Sequence, residues 1–321
     1  MSALISVVYV NYNSSALTIH SISSLATHCK DVSFEVIIVD NASKVDEKRA
    51  LDASVKEREW GNVSIIYSSE NLGFGKANNL GASNATGKYL FFLNPDTIVC
   101  NNVLKIFCEF LQSSSQNTVA CGGSLLTVDL KPNSSYGNFP GLLQELGNVG
   151  LGLSFVLGSY YKKRVAINSV ANLTNPFKVP YIVGANIFIS AEAFKTVNGF
   201  DQNFFMYYEE TDLFYRLSKK GLGSFIVPEG RIIHLEGGVV NTLAPEKFNH
   251  FKFEMLLASK LYYYQKWSTS ILLPLLKLIF LLQVVVQFSK GRMGDKLKPL
   301  LRSYFSIIVK NKENNAAEDR K

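Results

Sequence analysis

The chain has 321 residues, 47% of them hydrophobic and 18% charged, and a net charge of +7. That balance excludes a disordered chain and allows one large domain or two smaller ones around a substantial core. Its four cysteines, Cys29, Cys100, Cys108 and Cys121, have no paired metal-ligand spacing. They predict free thiols in a reducing cytosol, and the apolar start LISVVYV lacks the basic region and cleavage site of a secretory signal.

The first 130 residues alternate β-branched runs with helical stretches. Strands are predicted at 4–10, 35–40, 63–67, 89–93 and 118–121, with helices between them. Runs as apolar as FEVIIVD and KYLFFL are buried on both faces, which predicts a mostly parallel sheet in an α/β layer fold. In such sheets ligands bind at the carboxyl ends of the strands. Polar residues stand there: Asn11-Tyr12-Asn13, Asp40-Asn41 and Asn94-Pro95-Asp96. Each set is also ordinary turn and cap chemistry, but three at one edge favour a binding edge.

Between them runs ENLGFGKANNLG, from Glu70 to Gly81. Gly73 and Gly75 permit close backbone approach to a ligand, yet the run is neither a P-loop nor the dinucleotide fingerprint. With no glycines after the first strand either, a nicotinamide dehydrogenase is disfavoured.

The stretch 131–178 is rich in Gly, Asn and Ser around an apolar insert at 141–161, and reads as a mobile, partly apolar loop region. A strand pattern resumes at 179–190 around Gly184-Ala185-Asn186. A helix follows, then NFFMYYEETDLFYRLSKKG from Asn203 to Gly221. Here Glu209, Glu210 and Asp212 stand behind Phe204, Phe205, Tyr207 and Tyr208 at a predicted helix start. Partial desolvation penalises such charges unless something compensates, so the run reads as the base-bearing wall of a site. Asp212 pairs with Arg216 four residues on, in a structural role. Glu210 has no such partner and lies in the first turn, where the helix dipole keeps a carboxylate ionised and able to accept a proton. The competing reading is that all three acids decorate a helix N-terminus.

A strand at 224–227 leads to IIHLEGG, which contains His234. An aromatic amphipathic helix is predicted at 247–267, followed by an almost wholly apolar run at 271–288. That run is at the lower length limit for crossing a bilayer, and Pro274, Lys277, Gln283 and Gln287 weaken a spanning reading. Lys266 and Trp267 before it, and Lys290 and Arg292 after it, suit an interfacial or re-entrant helix on an anionic membrane. Lys296, Lys298, Arg302, Lys310 and Lys312, opposed by Asp295 and Glu313, extend the basic stretch. A membrane surface contacted through 271–312 is favoured over nucleic acid; a packing helix or dimer interface is the alternative.

In this order, VVYVNYN, VDNAS, ENLGFGKANNLG, FFLNPDT, IVGAN, NGFDQNFFMYYEETDLFYRLSKKG and IIHLEGG resemble the family 2 inverting glycosyltransferases of GT-A fold, especially their bacterial rhamnosyltransferase-like branch. The resemblance covers roughly residues 4–265. It implies a Rossmann-like, mixed but mostly parallel sheet flanked by helices, to which the apolar and basic stretch at 271–312 adds a helical membrane-associating tail. It divides the chain into a glycosyltransferase domain at 1–245, with a nucleotide-sugar half at 1–130 and an acceptor half at 179–245, and a C-terminal region at 246–321.

By the same resemblance Asp40 contacts the nucleotide base and Asn11 lines its pocket. Asn41, Gly73, Phe74, Asn78, Asn94, Gly184 and Ala185 complete the donor site. Asp96 ends the family's DxD motif, with Asn94 at its first position, and would bind Mg²⁺ or Mn²⁺. His234 is a second ligand whose imidazole suits Mn²⁺ better. Glu210, where the family usually has Asp, is the implied base, and Glu209 is the reserve. The implied reaction is a single inverting displacement from a nucleotide-diphospho-sugar, with dTDP-rhamnose the leading candidate, to a polyprenyl-diphosphate-linked glycan. It would serve cell-surface polysaccharide assembly at the inner face of the cell membrane. The alternative is a catalytically weak sugar-nucleotide-binding scaffold, motivated by Glu210 and Asn94 standing where the family has other acids.

Overall fold

A computed structural model describes residues 4–149, 168–170, 173–235, 250–269, 271–289, 301 and 304–305. The basic residues from Lys290 to Lys312, Glu236-Gly237-Gly238 and the insert beyond residue 149 lie outside the described residues. The chain divides into two compact units. One comprises Met1–Phe139, Ile167–Phe205 and Glu209–Thr242; the other comprises Pro140–Ala166, Met206–Tyr208 and Leu243–Lys321.

In chain order the elements are β1 (Ile5–Asn11), α1 (Ser15–His28), β2 (Phe34–Asp40), α2 (Val45–Glu57), β3 (Val63–Tyr67), α3 (Phe74–Ser83), β4 (Tyr89–Leu93), β5 (Thr97–Val99), α4 (Val103–Ser113), β6 (Thr118–Leu126) and β7 (Ser134–Gly137). After α5 (Leu142–Gly147) come β8 (Asn168–Ser169), β9 (Phe177–Val179), β10 (Tyr181–Ile182), β11 (Asn186–Ser190), α6 (Ala191–Thr196), α7 (Glu209–Lys219), β12 (Gly223–His234), α8 (His250–Trp267) and α9 (Leu272–Ser289).

In the first unit the main sheet runs β3-β2-β1-β4-β11-β6-β12-β5, with β9 added on β12; β10, β7 and β8 form a small second sheet. The half from β3 to β4 is parallel. Strand β11 then enters antiparallel to both β4 and β6, which makes the sheet mixed. The run expected as one strand at 179–190 is therefore two pieces in different sheets, β10 and β11.

The central strands β1 and β4 are largely apolar because both of their faces are covered. Val7, Tyr9, Phe91 and Leu93 face one core with Ile22 and Leu25 of α1 and Phe107 of α4. Val8, Leu90, Phe92, Ile187 and Ile189 face the other with Phe194, Phe200, Leu213 and Phe214. This is the period of two along a strand, with each buried Phe or Leu contributing about 1.5–3 kcal/mol. Helix α3 lies close on the sheet through Gly81, where a Cβ would come 2.4 Å from a Val8 methyl.

In the second unit α9 packs against α5 and α8. Their junction holds a buried polar cluster: Lys260 Nζ pairs with Glu145, Tyr264 donates to Glu145 Oε1 at 3.0 Å, and Gln283 donates to the Glu145 carbonyl at 2.7 Å. Burial pulls the Lys260 ammonium down in pKa, opposed by Glu145. The described part of the apolar insert is thus helix α5 rather than loop.

Arg216 Nε meets Asp212 Oδ2 at 2.7 Å, and Asp212 is fully buried. Replacing Arg216 by Ala leaves that carboxylate without its cation, and a loss of about 3–5 kcal/mol is expected in urea denaturation. A loss below about 1 kcal/mol, typical of surface pairs, would contradict a buried role.

Candidate active site

At the carboxyl edge of β1 and β2, Asn11 pairs with Asp40 in register, and its Nδ2 donates to Asp40 Oδ2 at 2.9 Å. Its Oδ1 accepts from Thr18 at 2.9 Å and Ser14 at 3.1 Å. Asp40 also accepts from the Ser43 N–H at 3.1 Å and lies 3.6 Å from Lys48 Nζ. Both residues are completely buried. Asn11 and Asp40 thereby fasten the loops after β1 and β2 to one another.

Asn41 extends the same fastening to the glycine run. Its Oδ1 accepts from the Leu72 N–H at 2.8 Å, and its Nδ2 reaches the Gly73 carbonyl at 3.2 Å. Gly73 has φ of 77°, and a Cβ there would fall 2.2 Å from the Phe205 carbonyl oxygen. The Phe74 N–H donates to that oxygen at 2.9 Å. The backbone at Gly73 thus closes on the protein's own segment before α7. Asn78 is buried and donates within α3 to the Phe74 carbonyl at 3.1 Å.

Helix α7 opens with the acids. Oε2 of Glu209 and Oε2 of Glu210 are each shielded from solvent and without a hydrogen-bond partner. Burial, then the charge of Glu210, pushes Glu209 well above the usual carboxylate range. Glu210 is also raised by burial, although the N–H groups of Glu210, Thr211 and Gly184 pull it back. At Glu210 desolvation is the largest influence, ahead of the backbone donors of the helix start. The two residues before the helix, Tyr207 and Tyr208, carry φ of 71° and 69°, a strained approach common beside functional sites.

Gly184 joins these parts. A methyl there would stand 3.7 Å from the Phe74 ring and 3.9 Å from the Glu210 carboxyl carbon. The carbonyl of the next residue, Ala185, accepts from the Asn94 N–H at 3.0 Å. Two residues after Asn94, Asp96 Oδ1 lies 3.4 Å from His234 Nε2. That pairing follows from the ladder between β12 and β5, where His234 is opposite Thr97. The Leu235 N–H also donates to the Asp96 carbonyl at 2.8 Å.

Among the described residues no group of three or more His, Cys, Asp and Glu gathers. A carboxylate and an imidazole side by side, both partly exposed, nonetheless suit a divalent cation that takes its other ligands from elsewhere. A cavity of about 790 Å³, walled by Leu80 and Phe194, includes none of Asp96, Glu209, Glu210 or His234.

Sequence reading missed Tyr181 and Asn186. Burial, then the charge of Glu210, pushes the Tyr181 hydroxyl up in pKa, opposed by its hydrogen bond with Thr211. Buried Asn186 accepts from the Gly123 N–H at 2.5 Å. An aromatic and an amide inside apolar strand runs carry no signal beyond packing.

Residues 6–151 match the family model for glycosyl transferase family 2, and residues 166–237 match that for the N-terminal domain of galactosyltransferase. The chain is 30% identical to the rhamnosyltransferase WbbL of Escherichia coli K12 over 172 residues, 50% of this chain and 60% of that protein. It is 26% identical to the N-acetylglucosaminyl-diphospho-decaprenol L-rhamnosyltransferase of Mycobacterium tuberculosis over 213 residues, 62% of this chain and 66% of that one. The matched region is thus under two thirds of either relative's length.

Two solved structures share the fold. GalNAc-T7 with UDP, GalNAc and Mn²⁺ gives a TM-score of 0.59 at 17% identity, over 84% of this chain and 49% of that one. The mannosyltransferase PcManGT of Pyrobaculum calidifontis with GDP-Man and Mn²⁺ gives 0.54 at 12%, over 96% and 81%. Fold and site together define a chain of the GT-A class. The chain resembles glycosyl transferase family 2 over residues 6–151, and rhamnosyltransferases are among the proteins it is similar to.

Because the folded-state pKa of Glu209 is raised, its neutral form is the one that folding favours. Its contribution to stability is full below the ordinary carboxylate pKa and is lost as pH rises through the raised value. Glu209→Gln is therefore expected to raise the melting temperature at about pH 8 and to leave it unchanged at about pH 4. Equal melting at the higher pH would mean that Glu209 is not held neutral.

Proposed function

We propose that the chain is an inverting, metal-dependent glycosyltransferase. It moves a sugar, L-rhamnose from dTDP-rhamnose as the leading donor, onto a polyprenyl-diphosphate-linked glycan of cell-surface polysaccharide assembly, at the inner face of the membrane. The observation that carries the reading is the connection through one turn of backbone. Gly184 borders the Glu210 carboxyl, and the carbonyl of Ala185 accepts from the Asn94 N–H ahead of Asp96.

In this scheme the edge formed by Asn11, Asp40 and Asn41 takes the nucleotide, with Gly73, Phe74, Asn78, Asn94, Gly184 and Ala185 beside the sugar and diphosphate. Oε2 of Glu210 removes the proton of the acceptor hydroxyl. As that oxygen bonds to the anomeric carbon, the bond to the diphosphate breaks, and the nucleoside diphosphate leaves with the electron pair. A raised pKa makes Glu210 a stronger base once ionised, so the rate should rise with pH through a value above the usual glutamate range. Asp96 and His234 would hold Mg²⁺ or Mn²⁺, which when bound neutralises the charge developing on the diphosphate. The mycobacterial relative, named for a decaprenol-linked acceptor, supports the acceptor class.

Purified chain supplied with a panel of sugar nucleotides and a polyprenyl-diphosphate-linked acceptor should release nucleoside diphosphate and yield an inverted linkage by NMR. Glu210→Gln is expected to lower kcat by about 10²–10⁴-fold with donor affinity unchanged. No release with any donor sinks the reading. Normal donor affinity with a rate indifferent to Glu210→Gln favours the scaffold instead.

A further inference from the structure

Helix α9 has two unlike faces. Leu276, Ile279, Phe280 and Val284 are buried on the side that meets α5 and α8, where Phe280 also stacks near Lys260 and Tyr264. On the other side Ile271, Leu275, Leu278, Leu282 and Val285 are between 40% and 85% exposed. Their spacing alternates four and three residues, which aligns them in one stripe along the helix. A stripe this long and this apolar is not an ordinary scatter of surface hydrophobics.

We infer that this stripe inserts into an anionic lipid surface with α9 lying in the membrane plane. Three features select lipid over a second copy of the chain. From Lys266 to Gly294 the sequence has Lys266, Lys277, Lys290 and Arg292 and no acidic residue, a charge pattern that matches anionic headgroups. In a two-fold pairing of the stripe, Leu278 at its centre would meet its own copy and bring Lys277 near Lys277, a like-charge contact. Trp267, at the end of α8, is the residue type that settles at headgroup depth.

The helix lies on the bilayer rather than crossing it, because its inner face is committed to protein around Glu145, Lys260 and Gln283. Among the described residues no helix is long and apolar enough to cross a membrane. The inference deepens the acceptor reading above and rests on it for why the chain needs a lipid surface.

The test uses the full chain and vesicles of equal parts phosphatidylglycerol and phosphatidylethanolamine, with phosphatidylcholine vesicles as control. Flotation should show binding to the anionic vesicles, weakened by salt, and about tenfold or more weaker for Leu275→Gln/Leu278→Gln/Leu282→Gln. The substituted positions are exposed, and circular dichroism checks that the variant folds. Independently, Leu278→Trp should emit as a solvent-exposed indole without vesicles and shift to the blue when anionic vesicles are added.

Equal binding of the triple variant overturns the proposal. So does a Leu278→Trp already in an apolar setting without lipid, which would mean that a second copy or the chain's own following segment covers the stripe. Nucleoside diphosphate release with a short-chain, water-soluble acceptor separates the two readings. Its retention in the triple variant isolates the membrane contact, and its absence from the unmodified chain removes the transferase reading while leaving the vesicle result to stand alone.

Discussion

The chemistry of this chain depends on one strand running backwards. An antiparallel strand begins where its neighbour ends, so β11, laid against β4 with Asn186 opposite Leu93, starts at the carboxyl edge of the parallel half. Residues 184 and 185, which lead into β11, therefore arrive beside residues 94–96, which lead out of β4. A parallel strand in that place would put its entry at the opposite edge of the sheet. Asn186 secures the position from within, since its side chain accepts from the Gly123 N–H of β6 while its backbone belongs to β11.

The first turn of α7, set beside that strand entry, is electrostatically expensive. Three acids within four positions, all largely withdrawn from water, cannot all be ionised cheaply. The structure deals with each differently: Asp212 is matched by Arg216, Glu209 is driven toward its neutral form, and Glu210 is left between burial and three backbone donors. The outcome is a pair of neighbouring carboxyls both raised by burial, with Glu209 raised also by the charge of Glu210, a perturbation of the kind that clusters at functional sites. The same burial that raises Glu210 works against folding stability at neutral pH, a cost consistent with a site kept for function.

Three of the strands are legible in the sequence because their pattern has one cause. Runs buried on both faces are mostly apolar, and β1, β2 and β4 read that way without any structure, while β3 is read from its β-branched residues. The pair Asp212 and Arg216 is legible for a similarly local reason, the geometry of one helical turn. What escapes depends on distant partners. Strand β5 has only Thr97 to Val99 and follows a proline turn. Strand β12 is interrupted by Pro228 and Gly230, which read as its end, whereas the structure passes them as an irregularity between Val227 and Arg231 and resumes pairing. That continuation delivers His234 to Asp96, so motif order suggests the carboxylate–imidazole pair while periodicity gives no hint of it. Gly73 is legible as a glycine that has to be one, but its neighbour is Phe205, more than a hundred positions along the chain.

The long arm of Glu210 is placed by the fold beside Gly184. A longer arm loses orientation unless its carboxylate is held. Here the N–H groups of Gly184, on the segment entering β11, and of its own helix turn act on the carboxylate to offset part of its desolvation. Glycine at 184 adds no side chain between Phe74 and the carboxylate, so the arm can rest on the backbone. Since Ala185 in turn fixes Asn94, the position of the longer acid and that of the Asp96 loop are set by the same two residues.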